Sequence, residues 1–174
     1  MKKSIALFVL LAVLVGLLAG CGSEPEGSGI TGEEVLSNFE EMLQPIADQF
    51  QLFILSKTEL DEGRTCQALL VNDLLTGRSF HIHIYCTQTG EVYCTAIDTD
   101  NQRLTYLEFA LLSKYLYDSM ALPDMDAQAF YDHFNMLSQE PLGEMVVNGW
   151  EMHAFYTSSY LHFYAMHESA PNND

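Results

Sequence analysis

The residues best placed to do chemistry are imidazoles and phenols at alternating positions. His81-Ile82-His83 sets two histidines two positions apart, and in an extended strand such residues lie on one side. Two imidazoles so arranged can chelate Zn²⁺ if a third ligand converges, or act as general acid and base. Tyr85 continues their side, and Tyr93 joins it from the next strand. Near the C-terminus, His153 and His162 share the corresponding side of a second hairpin with Phe155, Tyr160 and Tyr164. If the two hairpins join one sheet, its outer face carries His81, His83, Tyr85, Tyr93, His153, Tyr160, His162 and Tyr164 as one candidate ligand-binding face. Tyr and His combine apolar bodies with polar tips, which suits sugars, peptides or another protein. The plainer alternative is a half-exposed strand face with no ligand.

Cysteine placement depends on the turn joining the first hairpin. Phe80, Ile82, Ile84 and Cys86 alternate with the histidines, and Val92, Cys94 and Ala96 alternate with Tyr93, Thr95 and Ile97. Pairing even positions with even requires an odd loop, such as Gln88-Thr89-Gly90 with Gly90 left-handed. A loop centred on Gly90 sets Cys86 opposite Cys94 as a candidate disulfide, and one centred on Thr89 leaves them diagonal. A pairing through Cys66, or three buried free thiols, are the alternatives. The same parity predicts that the residues facing His81 and His83 come from Thr95, Ile97 and Thr99, so no carboxylate completes a metal site. A nucleophilic cysteine is not expected either, since apolar strands raise a thiol pKa.

Other signals are weaker. Asp98-Thr99-Asp100-Asn101-Gln102 begins like a calcium loop, but Arg103 stands where that loop needs Gly and Phe109 where it needs Glu. Glu59, Asp61 and Glu62 read as a solvated turn. There is no GxSxG, HExxH, phosphate loop, dinucleotide fingerprint or CxxC pair, and no motif implies a cofactor. The 174 residues are 48% hydrophobic with 20 aromatics in all, enough to bury one domain's core and too apolar for a disordered chain. With 24 acidic against 7 basic residues, a formal charge of −17 repels phosphate and argues against a nucleic-acid partner.

The N-terminus reads as an address. Met1-Lys2-Lys3-Ser4 precedes an apolar run from Ile5 to Leu18, shorter than the roughly 20 residues of a spanning helix, and small residues follow. Leu18-Ala19-Gly20-Cys21 resembles the lipobox of bacterial lipoproteins. That resemblance implies cleavage after Gly20, lipidation of the Cys21 thiol, and anchoring at the extracytoplasmic face of a cell membrane. Residues 1–20 are then a discarded signal peptide, and 21–31 a lipidated Cys with an acidic Gly-Ser linker. The tether Gly22-Ser23-Glu24-Pro25-Glu26-Gly27-Ser28-Gly29 spans roughly 15 Å r.m.s.. Partners are therefore expected at the membrane: the bilayer through the lipid, and an envelope protein, peptide or glycan. The reading is a binding or scaffolding domain without catalysis; the alternatives are an envelope enzyme with a His-based site and a metal-binding or sensing lipoprotein.

The elements that must position these residues follow from periodicity. Thr31-Gly32-Glu33-Glu34 has the capping-box form, and Val35, Leu36, Phe39, Met42, Leu43, Ile46 and Phe50 mark one helical face that Pro45 kinks or ends. Runs over 52–57 and 66–71 predict two strands, followed by the hairpin over 79–86 and 91–98. A buried helix opens near Thr105, and a further one carries Ala127, Phe130, Phe134 and Leu137 up to Pro141. The last hairpin covers 149–156 and 160–166 around 157–159. The prediction is one α+β domain over 32–168 with a disordered tail at 169–174. It has an antiparallel sheet of about six strands packed against three helices, in the order α-ββββ-αα-ββ(β).

Overall fold

The computed structural model describes residues 28–100, 106–122, 125–132, 145–156, 160–167 and 170. The leader, Cys21, most of the tether, Phe134 to Pro141, the 157–159 turn and nearly all of the tail lie outside the described residues.

The capping box forms as its sequence dictates. The Glu34 amide donates to Thr31 Oγ1 (3.2 Å), and the Thr31 amide donates to the Glu34 carboxylate (2.8 Å), opening α1 at Gly32–Leu43. Val35, Phe39 and Leu43 recur along one side of α1 and are buried. Pro45 ends the helix in a single 3₁₀ turn, Gln44–Ile46, because it has no amide to continue the ladder. Phe50, expected on the helical face, instead opens β1.

Four strands follow: β1 at Phe50–Glu59, β2 at Thr65–Asp73, β3 at Arg78–Cys86 and β4 at Val92–Asp100. Then come α2 at Tyr106–Ser119, a short helix α3 over 127–132, β5 at Met145–Val147, β6 at Trp150–Tyr156 and β7 at Tyr160–His167. All seven strands form one antiparallel sheet in the order β1-β2-β3-β4-β7-β6-β5, so the α+β architecture stands with seven strands where about six were expected. The added strand is the short edge β5.

The described helices pack on one side of this sheet. Phe80, Ile82 and Ile84 of β3, Ile97 of β4 and Phe163 of β7 are fully buried there with Val35 and Phe39 of α1 and Leu112 and Leu116 of α2. Phe130 of α3 meets Phe163 edge-on, with ring centroids 6.3 Å apart. The contact between β4 and β7 is what merges the two hairpins, since Cys94 to Asp100 pair with Met166 to Tyr160. The opposite side of the sheet carries the histidines and tyrosines.

Candidate functional site

The turn between β3 and β4 forms as predicted, and the strand after it does not. The Gly90 amide donates to the Thr87 carbonyl (3.0 Å), and Gly90 takes the left-handed φ of 88° expected of it. Cys86 then pairs with Val92, an even-to-even match. A β-bulge at Tyr93 inserts one extra residue, so Tyr85 pairs with Cys94, Ile84 with Thr95, His83 with Ala96, Ile82 with Ile97 and His81 with Asp98. Every later residue of β4 therefore faces opposite to expectation.

The physical reason is burial. Val92 and Ile97 are both fully buried on the helix side, yet they stand an odd number of positions apart, and only an inserted residue lets both turn inward. This corrects two expectations. Cys86 lies under α1 while Cys94 lies on the outer face, so they do not bridge; Cys66, Cys86 and Cys94 are all free. Thr95, Ile97 and Thr99 face the helices, and Asp98 stands among the histidines instead.

Register arranges the outer face in rows across the strands. One row runs Cys66, Tyr85, Cys94, Met166, Glu151; the next Ala68, His83, Ala96, Tyr164, His153; the third Leu70, His81, Asp98, His162, with the Phe155 backbone beyond. Thus the first and last hairpins do supply one continuous face, and seven of the eight named His and Tyr residues take described places on it. Tyr160 opens β7 opposite Asp100.

Contacts within the face fix its chemistry. His83 Nε2 lies 3.9 Å from Asp98 Oδ2, and His83 Nδ1 lies 3.8 Å from Cys66 Sγ. His153 Nε2 bonds Glu151 Oε1 at 2.5 Å, and its ring stacks on Tyr164 with centroids 4.8 Å apart. Tyr85 and Tyr93 lie 6.2 Å apart. His81 is exposed and stands opposite Asp98 in the strand register. Among the described residues no three His, Cys, Asp or Glu side chains converge as a metal would require, so the His81 and His83 pair lacks its third ligand there.

Burial governs the titrating groups. It pushes Tyr85 up to about 12, with Cys66 and Cys94 adding to the effect, and it pushes the Cys94 thiol up to about 12. Burial raises Cys66 also, against a hydrogen bond with Tyr85 that favours the thiolate. Tyr93 is raised by burial and drawn back by Arg64, with which it hydrogen-bonds. His162 is lowered by burial, with Asp98 opposing and His83 reinforcing.

A concavity of about 370 Å³ opens at one end of the face, lined by Arg64, Tyr85, Tyr93, Cys94, Ala96, His162, Tyr164, Met166 and Ala170. Three tyrosines and His162 supply its rings, and Arg64 lines it as a cation. Sequence reasoning missed Asp98, Arg64 and Cys66 as members of the face. The odd separation of Val92 and Ile97 was the signal that could have brought Asp98 into it. Comparison with protein-family models, curated proteins and solved structures finds no match.

Proposed function

We propose that this chain is a lipid-anchored extracytoplasmic bacterial lipoprotein whose folded domain binds an envelope ligand on the open face of its sheet, without turning it over. The observation that carries the reading is the β4 to β7 pairing, which unites two His- and Tyr-bearing hairpins into one face while the described helices occupy the other. Tyr85 and Tyr164 offer flat apolar surface with polar edges over the largely buried Tyr93, and Arg64 can hold a carboxylate in a protein that is otherwise strongly acidic. The ligand class that fits is a ring- or amide-bearing envelope molecule with a carboxylate, as found in cell-wall glycan carrying peptide. The leader and lipobox support the location, and the membrane partner is the lipid on Cys21.

Calorimetry of the full chain in detergent against soluble cell-wall fragments tests this. Binding that falls at least tenfold in Arg64→Gln, with the fragments recovered unchanged, is the expected result. Hydrolysed fragments, or identical binding by Arg64→Gln, would overturn it.

A further inference from the structure

The β4 bulge brings a carboxylate, an imidazole and a thiol into line across three neighbouring strands. Cys66 on β2, His83 on β3 and Asp98 on β4 form a diagonal, with Sγ to Nδ1 at 3.8 Å and Nε2 to Oδ2 at 3.9 Å. At 3.9 Å the Asp98 carboxylate acts on Nε2 through charge and not through a hydrogen bond; it favours the tautomer with the proton on Nε2, which leaves Nδ1 as the proton acceptor facing the thiol. That division of roles is how a histidine activates a cysteine nucleophile. Apart from Cys66 and Asp98, the titratable groups around His83 are His81 and Tyr85 on its own strand, Cys94 on β4, and His162 and Tyr164 on β7.

We propose that Cys66 is a reactive single-thiol site that His83 deprotonates and that captures low-molecular-weight disulfides as mixed disulfides. In the step, the Cys66 proton passes to His83 Nδ1 and the sulfur attacks one sulfur of the disulfide. The old S–S bond breaks, a new one forms to Cys66, and the departing thiolate takes the proton from His83. Cys66 is oxidised by the disulfide, which is half reduced to a free thiol, so no other oxidant is needed.

Two features restrict the chemistry to this class. β2 lies between β1 and β3, so its amides serve the strand ladders and leave no oxyanion hole for acyl transfer. Tyr85 stands between Cys66 and Cys94 in the same row, which puts those cysteines two strand spacings apart, roughly 9.5 Å. A disulfide needs Cα atoms within about 6.8 Å, so Cys94 cannot resolve the adduct and the captured thiol stays bound. Arg64, two residues before Cys66, favours disulfides that carry carboxylates. Burial holds the free thiol largely neutral at pH 7, so its reactivity depends on the adjacent base.

The test uses the full chain with Cys21→Ser, leaving three thiols, and oxidised glutathione as probe. Intact mass and peptide mapping should show one adduct, on Cys66, reversed by dithiothreitol. His83→Gln should slow its formation by about 100-fold at pH 7. The two rates should converge at alkaline pH, where hydroxide supplies the thiolate, an effect that loss of packing alone would not produce. Asp98→Asn should slow it less. Faster labelling of Cys86 or Cys94, an intramolecular Cys66–Cys94 bond, or an unchanged rate in His83→Gln would each overturn the proposal.

Discussion

Asp98 and His162 stand directly opposite each other where β4 meets β7, the seam at which the two hairpins become one sheet. Neither residue belongs to the other's hairpin. Their meeting gives the outer face a carboxylate beside a partly buried imidazole, and several consequences can be measured.

The first concerns pH. Burial holds the folded His162 below its unfolded value of about 6.5, so the unfolded chain binds the proton more readily. The resulting stability is complete above about pH 6.5 and is lost as pH falls through the folded value. Asp98 opposes the lowering, so Asp98→Asn should move the His162 midpoint further down. NMR titration of the imidazole protons measures this, and a midpoint that rises or stays fixed would refute the assignment.

A second prediction lies beneath α1. A Cβ on Gly32 would fall 2.6 Å from Cys86 Sγ, closer than such atoms approach. Gly32→Ala should therefore cost about 1–3 kcal/mol through overpacking, although alanine is the better helix former. In a Cys86→Ala background the same change should be neutral or stabilising. Urea unfolding of the four proteins gives the coupling, and additive effects would show that the two positions do not touch.

The bulge makes a third case. Removing Tyr93 joins Val92 to Cys94 and leaves a regular ladder in which every other residue keeps its face. Deleting Tyr93 should thus lower Tm no more than Tyr93→Ala, which loses the same ring for about 3 kcal/mol. That is a fall of roughly 6–12 °C for a chain of this size. Deleting Thr95 should be far worse, since it turns Ile97 outward. A deletion of Tyr93 that unfolds the protein would show instead that the extra residue is needed to bend β4.

Anchoring provides a fourth. Cys21→Ser should abolish incorporation of labelled fatty acid and leave the protein unprocessed or soluble. Continued labelling of that variant would contradict the lipobox reading.

Much of the architecture was legible because its causes are local. Thr31 and Glu34 satisfy each other's amides within one helical turn, Pro45 lacks the amide to extend that helix, and Gly90 alone of its turn accepts a positive φ readily. Alternation in Phe80 to Cys86 marked a strand with His81 and His83 on one side, and they lie there.

The face itself was only half legible. Residue order places Asp98 in a polar run and Cys66 in an apolar one, and nothing within either strand links them to His83. Their meeting depends on a single inserted residue, Tyr93, and on which strands become neighbours. By itself the sequence determined most of the elements and the turn, because capping, periodicity and turn chemistry act over a few residues. Only the tertiary structure decided that Asp98, Cys94 and Cys66 join the histidines while Cys86 stays beneath α1. Side-chain direction in a strand reverses with each residue, and burying Val92 and Ile97 together settled where that reversal had to be broken.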